Sequence, residues 1–327
     1  MSTVRDIIRN AAHAVGQKEL LHSVQARMQG ALRLAKPSLP IHRNEDIAPF
    51  FVVGSGRCGT TLLRRLLQAS PEVHIPPENW SMGGHVASFR RYRWVLSWTA
   101  LVDLHVGRHV MESHRWFDEL PTALRDRLVH LPGEERSLAR LLDEVYRYHG
   151  QCQDATFERW GDKTPMNVGC MNEIMDVFPK ARFIHLLRDG VDVVHSYCNM
   201  EKHTVEVTAP ARRWQRAVTT ARRFGEKYPE HVLEIRYEDL CRESEETLRR
   251  VCSFVGLSFE DALLSRNDHF DEMETAQSVG HYENAFSSIT TDSIGKGREN
   301  LNTEQKEQIR PMLNDDLVRF GYAPVES

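Results

Sequence analysis

The chain has 327 residues, 41% hydrophobic and 27% charged, with a formal net charge of −4. That suits one large or two modest soluble α/β domains and gives no global pull toward nucleic acid. The six cysteines, at 58, 152, 170, 198, 241 and 252, form no Cys-x-x-Cys pair, so free thiols in a reducing compartment are expected rather than a disulfide framework.

No apolar run reaches membrane-spanning length and no signal-peptide core opens the chain, which leads to the expectation of a cytoplasmic protein. The first 36 residues carry two helical stripes, Val4, Ile7, Ile8, Ala11, Ala12 and Val15, then Leu20, Leu21, Val24, Met28, Ala31 and Leu32. Six Lys/Arg against two acids give this stretch a balance of +4. A basic amphipathic helix of this kind packs on its own domain or a partner, or lies peripherally on a membrane. Lys36-Pro37-Ser38-Leu39-Pro40 reads as a linker, so residues 1–40 form an extension to a domain over 41–327.

Phe50 to Val53 is a short apolar run that ends at Gly54, as a buried parallel strand would. Leu62, Leu63, Leu66 and Leu67 then recur at helical spacing. Between them lie Gly54, Ser55, Gly56, Arg57, Cys58, Gly59, Thr60 and Thr61. Strand, glycine loop and helix start make an anion cradle, with backbone N–H groups and the positive end of the helix dipole turned inward. A triphosphate loop requires Gly-x4-Gly-Lys-Ser/Thr. Here Gly54 and Gly59 have that spacing, but no lysine follows, and Arg57 supplies the cation.

Glu72 to Ile75 reads as a second strand, stopped by Pro76-Pro77, with Glu78 just beyond at the sheet's carboxyl edge. Residues 83–150 read as a helical insertion with breaks near Gly107, Pro121 and Pro132-Gly133. Its tryptophans, with Trp80, lie among arginines, and suit either an acceptor-binding lid or a helical cap with its own core. His105 and His109 stand at i, i+4, but Val106 occupies the place of the glutamate in the zinc-protease pattern, so no metal is assigned.

A strand is expected over 156–163, running into Lys163, and a helix over 167–178. Ala181 to Leu187 is the clearest strand in the chain. Arg188 follows it, beside a helix capped by Asp189, and is placed for a second anion. A helix over 210–227, a strand over 231–236 ending at Tyr237, and a helix over 245–255 come next. Residues 267–300 are polar, too long for a passive loop, and contain Ser287, Ser288, Ser293, Lys296 and Arg298. Thr303 is expected to cap a last helix to Phe320. The alternation predicts an α/β fold with a mainly parallel central sheet and helices on both faces.

Two anion sites at strand ends, without a triphosphate lysine, suggest a nucleotide with two separate phosphates. At this point the chain resembles the sulfotransferases that use 3′-phosphoadenosine 5′-phosphosulfate (PAPS), closest to the Golgi-type and bacterial branch that includes tyrosylprotein sulfotransferases. Residues 54–62 look like that family's 5′-phosphosulfate loop, and 183–196 like its 3′-phosphate segment. The resemblance covers roughly 50–320, weakly over 83–150. It implies a P-loop-like fold in which Gly54 to Thr61 hold the 5′-phosphate and sulfuryl oxygens, and Arg188 and Ser196 the 3′-phosphate. It further implies that Lys163 stabilises the leaving bridge oxygen, that Glu78 is the catalytic base, and that Tyr237 and the segment with Ser293, Lys296 and Arg298 close over the nucleotide. Cys58 in place of serine, Met200 in place of an arginine and Gly297 in place of an aromatic are departures.

The implied reaction is in-line, base-assisted and metal-independent, because Arg57 and Lys163 neutralise charge as Mg²⁺ does in kinases. His74 and His85 are rival bases. The acceptor, a carbohydrate, lipid, small alcohol or protein tyrosine, is left open, as is the oligomeric state. The alternatives are an ATP-dependent P-loop phosphotransferase, shown by Mg²⁺-dependent ATP turnover, and a non-catalytic nucleotide-binding protein, shown by binding without turnover.

Overall fold

The computed structural model describes residues 38–43, 46–112, 116–117, 120–200, 206–264 and 289–326. The amphipathic stripes of 1–36, Ser287 and Ser288 lie outside these residues.

Five parallel strands form the sheet: β1 (Phe50–Gly54), β2 (Val73–His74), β3 (Arg159–Lys163), β4 (Arg182–Leu187) and β5 (Val232–Arg236), in the order β2-β3-β1-β4-β5. The chain leaves β1 toward β3 and β2, then returns to β4 and β5 on the other side. β1 is therefore the topological switch point, and the crevice beyond its carboxyl end is where open α/β sheets bind ligands. The register sets Val52 opposite Lys163 and Gly54 opposite Leu186, which brings the ends of β3 and β4 to that crevice.

β1 is buried throughout, and its alternation feeds two cores. Phe50 and Val52 face the core built with α1 (Thr60–Leu67). Phe51 and Val53 face the insertion, whose helices are α2 (Met82–Tyr92), α3 (Trp98–Glu112), α4 (Thr122–Val129) and α5 (Leu138–Cys152). The remaining α-helices among the described residues are α6 (Met171–Val177), α7 (Gly190–Met200), α8 (Thr208–Lys227), α9 (Tyr237–Arg242), α10 (Ser244–Val255), α11 (Lys296–Asn300) and α12 (Thr303–Arg319).

The insertion shares its core with one face of the sheet. Trp98 and Trp116 are buried, and Tyr146 stacks on Trp160 of β3 with ring centroids 3.9 Å apart. Three of its arginines are engaged in structure: Arg90 with Asp176, Arg93 with the Leu39 carbonyl, Arg108 with Glu112 and Ser88.

Several expected boundaries move. α3 runs unbroken through Gly107, because Leu101, Val102, His105, Val106 and His109 are all buried and their packing overrides one weak residue. The break falls instead between Tyr92 and Trp98. β2 is two residues long and β3 begins at Arg159 rather than 156. The helix expected from 167 starts as a 3₁₀ turn, Pro165–Cys170, and becomes α-helical at Met171. The last helix is capped by Asn302, not Thr303: Asn302 and Gln305 form a reciprocal capping box. α9 was not foreseen.

Candidate active site

The loop after β1 is set by backbone geometry. Gly56, Arg57 and Gly59 have φ of 74°, 54° and 96°, all left-handed. Arg57 is a non-glycine residue in that region, a strain that concentrates where a loop must face a ligand. A Cβ on Gly56 would lie 2.2 Å from the Tyr197 hydroxyl, and one on Gly59 2.3 Å from the Tyr237 ring. Gly59→Ala is therefore expected to lower the melting temperature and abolish nucleotide binding, since both φ and ring contact oppose it. A variant that keeps wild-type nucleotide affinity in a thermal-shift titration would contradict this account of the loop.

Ser55 and Thr60 are buried, and the Ser55 carbonyl accepts a bond of 3.0 Å from Tyr197. Cys58 is fully buried and its thiol pKa is raised by burial. Its sulfur packs so closely on Gly54 that a Cβ there would lie 2.6 Å away. A thiol held neutral in this way is a packing group. Cys58→Ser is expected to retain nucleotide binding and turnover; loss of either would point to thiol chemistry.

The two expected anion sites are joined. Arg57 Nε donates to Ser196 Oγ at 3.1 Å, linking the first loop to α7. Arg188, 7% exposed, donates to the carbonyls of Arg57 at 3.1 Å and Ser293 at 2.6 Å. Its guanidinium lies 4.5 Å from the centroid of the Tyr237 ring, and Tyr237 is bonded to Ser293 at 2.6 Å. Arg188 Nε is buried without a hydrogen-bond partner among the described residues. Burial pushes Tyr237 up to about 12, so it stays a neutral hydroxyl. His195 is lowered chiefly by burial; the Asp192 charge opposes this, while those of Arg188 and Lys296 add to it.

The 293–298 segment is fastened from beneath. Asp192 accepts the N–H groups of Gly295 at 2.8 Å and Gly297 at 2.7 Å. A Cβ on Gly297 would lie 2.3 Å from the Val191 carbonyl, which explains glycine where the family resemblance suggested an aromatic. Lys296 is exposed. Arg298 turns back to Asp189 at 2.8 Å and to the carbonyls of Ala323 and Pro324. Asp189 also caps α7 through the Val191 N–H at 2.9 Å.

The second focus is at the end of β3. Lys163, 1% exposed, donates to Glu78 Oε1 at 2.6 Å and to Thr61 Oγ1 at 3.3 Å. One ammonium thus ties the proposed base to the start of α1. The rival bases sit elsewhere. His74 is buried against His149, ring nitrogens 2.8 Å apart, and His85 is fully buried against His105 at 2.8 Å. No group of three or more His, Cys, Asp or Glu placed to hold a metal occurs among the described residues.

Sequence reasoning missed Tyr197, Asp192 as a loop anchor, and Arg213. Arg213 lies 5.1 Å over the Tyr197 ring and donates to its hydroxyl at 3.3 Å. Tyr197 had a signal, being next to Ser196; Arg213 had none, since it comes from a different helix.

The sequence profile described as "Sulfotransferase family" matches residues 49–261, and the chain belongs to that family. It is similar to "Protein-tyrosine sulfotransferase 1" of Danio rerio, 24% identical over 93% of this chain and 80% of that protein. It is also similar to "Protein-tyrosine sulfotransferase" of Drosophila melanogaster, 22% identical over 70% of this chain and 42% of that one. Among solved structures, the sulfotransferase domain from the Synechococcus PCC 7002 olefin synthase superposes with a TM-score of 0.59 at 19% identity, covering 88% of this chain and 99% of that domain. The sulfotransferase domain from the curacin biosynthetic pathway gives 0.57 at 17% identity, covering 85% and 99%. These superpositions bear out the expected α/β fold. No helix among the described residues is long and apolar enough to cross a membrane.

Proposed function

We propose that the chain transfers a sulfuryl group from PAPS to an acceptor hydroxyl, with PAP as the other product. The observation that carries this is the contact of Lys163 with both Glu78 and Thr61: a base, a cation and the anion loop meet at one point. The residues fit the donor. The left-handed loop would take its 5′-phosphosulfate, and Arg188 with Ser196 its 3′-phosphate, with Arg57 between the two. The donor supplies the sulfuryl group. Glu78 would accept the hydroxyl proton, and Lys163, Arg57 and the loop N–H groups would hold the charge that develops on the leaving oxygen. The acceptor class includes small alcohols, lipids, glycans and protein tyrosines; the named tyrosine-directed relatives favour a phenol.

Thermal shift with PAP, AMP and ATP tests the donor. PAP at a hundred times its Kd is expected to add about 2.7 kcal/mol of stability. AMP and ATP should add less, the first for want of a 3′-phosphate and the second for want of the triphosphate lysine. In Arg188→Ala the advantage of PAP over AMP should shrink by about 1.5–3 kcal/mol, the worth of a charge-assisted contact. Equal shifts for all three nucleotides in the wild type would refute the assignment.

A further inference from the structure

We infer that Asn79 and Thr164 form a clasp that positions Glu78 against Lys163, which makes both of them positioning residues for the transfer; the inference rests on the function proposed above.

Glu78 lies outside any helix or strand, between Pro77 and α2. The adjacent residue is held from several directions. Asn79 is 0% exposed. Its N–H donates to Thr164 Oγ1 at 2.9 Å, and the same hydroxyl donates to the Asn79 carbonyl at 3.3 Å. Its side-chain oxygen accepts the Ser81 N–H at 3.0 Å and the Ser81 hydroxyl. Its side-chain nitrogen lies 3.1 Å from His109 Nε2 on α3. Asn79 is thus bonded to the segment after β3, to the start of α2 and to the middle of the insertion.

The clasp and the functional pair are consecutive rungs. Lys163 reaches Glu78, and Thr164 reaches Asn79. One rung is ionic and partly open; the other is neutral and fully buried, with Thr164 at 0% exposure. A single hydroxyl serves as acceptor and donor in the buried rung, which only serine or threonine supplies at this size. Strand β3 fixes Thr164, so the backbone of Glu78 is fixed one residue from a rigid element. A base displaced by about 1 Å can cost on the order of 10²-fold in rate, and so this rung bears on chemistry although neither residue touches a reacting atom.

The test compares Thr164→Val, which keeps the shape and removes both bonds together with the hydroxyl's contact to Asp162, with Thr164→Ser, which keeps the hydroxyl. Thr164→Val is expected to lower kcat about 10²-fold, with PAP affinity unchanged and the loss in kcat rather than KM. Thr164→Ser should rescue it. Turnover is read by mass spectrometry with PAPS and 2-naphthol, a tyrosine peptide and N-acetylglucosamine. A second measurement needs no turnover. In full-length protein, the melting-point shifts of Thr164→Val and Glu78→Gln should add to less than their sum in the double variant, because loosening the clasp already loosens Glu78. Additive shifts overturn the clasp. So does wild-type kcat in Thr164→Val, or a serine variant as impaired as the valine one. Failure of PAP to stabilise the wild type would instead refute the donor assignment, and the melting-point cycle would still decide the clasp.

Discussion

Glu78→Gln is expected to lower kcat by about 10²- to 10⁴-fold, the range for removing a general base, while PAP still binds. Glutamine preserves the shape and still offers an oxygen to Lys163, whose ammonium lies 2.6 Å from the present carboxylate. It cannot take a proton at neutral pH. The geometry favours Glu78 over both histidines considered from the sequence. Its side chain is 26% exposed at the crevice and its partner Lys163 also contacts Thr61 at the start of α1. His74 is lowered to about 4 and His85 well below its ordinary value, in each case chiefly by burial. Each is engaged with another histidine in the core. The measurement is kcat for Glu78→Gln, His74→Gln and His85→Gln with one acceptor, alongside PAP affinity and melting temperature. Near-wild-type turnover in the Glu78 variant, with collapse in a stable histidine variant, would transfer the role to that histidine.

The linear parts of the site were legible in the sequence and its joints were not. The strand Phe50–Gly54, the glycine loop and the leucine-spaced helix after it are local patterns, and so is the strand leading to Arg188; the structure keeps all of them within a few residues. The bond from Arg57 to Ser196 spans 139 positions and that from Lys163 to Glu78 spans 85. Both depend on β1 lying between β3 and β4, a topology that no local window contains. The same reason explains Arg298. Its side chain was expected over the nucleotide, and the structure turns it to Asp189 and the C-terminal carbonyls, which a loop sequence cannot announce. Gly107 failed as a break because the surrounding burial outweighs its intrinsic cost of about 1 kcal/mol. For the histidine pair 105/109 the local pattern shows only an i, i+4 spacing on one helix. Its partners, His85, Asn79 and the Trp116 ring, come from other segments and turn it into core.

That core sets the second large effect, a loss of stability in mild acid. His74, His85, His105, His109 and His149 are all buried, and burial is the first cause that lowers each of them. His74 falls to about 4, and His105, His109 and His149 to about 3; mutual repulsion, Arg64 and Arg108 add to this. In the unfolded chain each titrates near 6.5. Between these values the unfolded state binds more protons than the native one, so stability is present above pH 6.5 and is lost as pH falls toward 4. The slope for each histidine rises toward about 1.4 kcal/mol per pH unit only below pH 6.5, so each loses about 1.3 kcal/mol between pH 7 and 5.5 and five together about 6 kcal/mol. That is comparable with the whole stability of a typical domain, about 5–15 kcal/mol. Asp162 works in the opposite direction. Burial raises it to about 6, and raises Asp189 and Glu238 as well, so these carboxyls take up protons in the native state and recover part of the loss, three groups against five. Urea unfolding from pH 7.5 to 5 should therefore show a net uptake of several protons on unfolding. His105→Gln should reduce that uptake by about one, because His105 Nε2 is buried with no partner among the described residues and glutamine does not titrate. A wild-type stability that is flat over this range would mean that the cluster is hydrated or already charged in the native protein, and the packing of the insertion against the sheet would have to be redrawn.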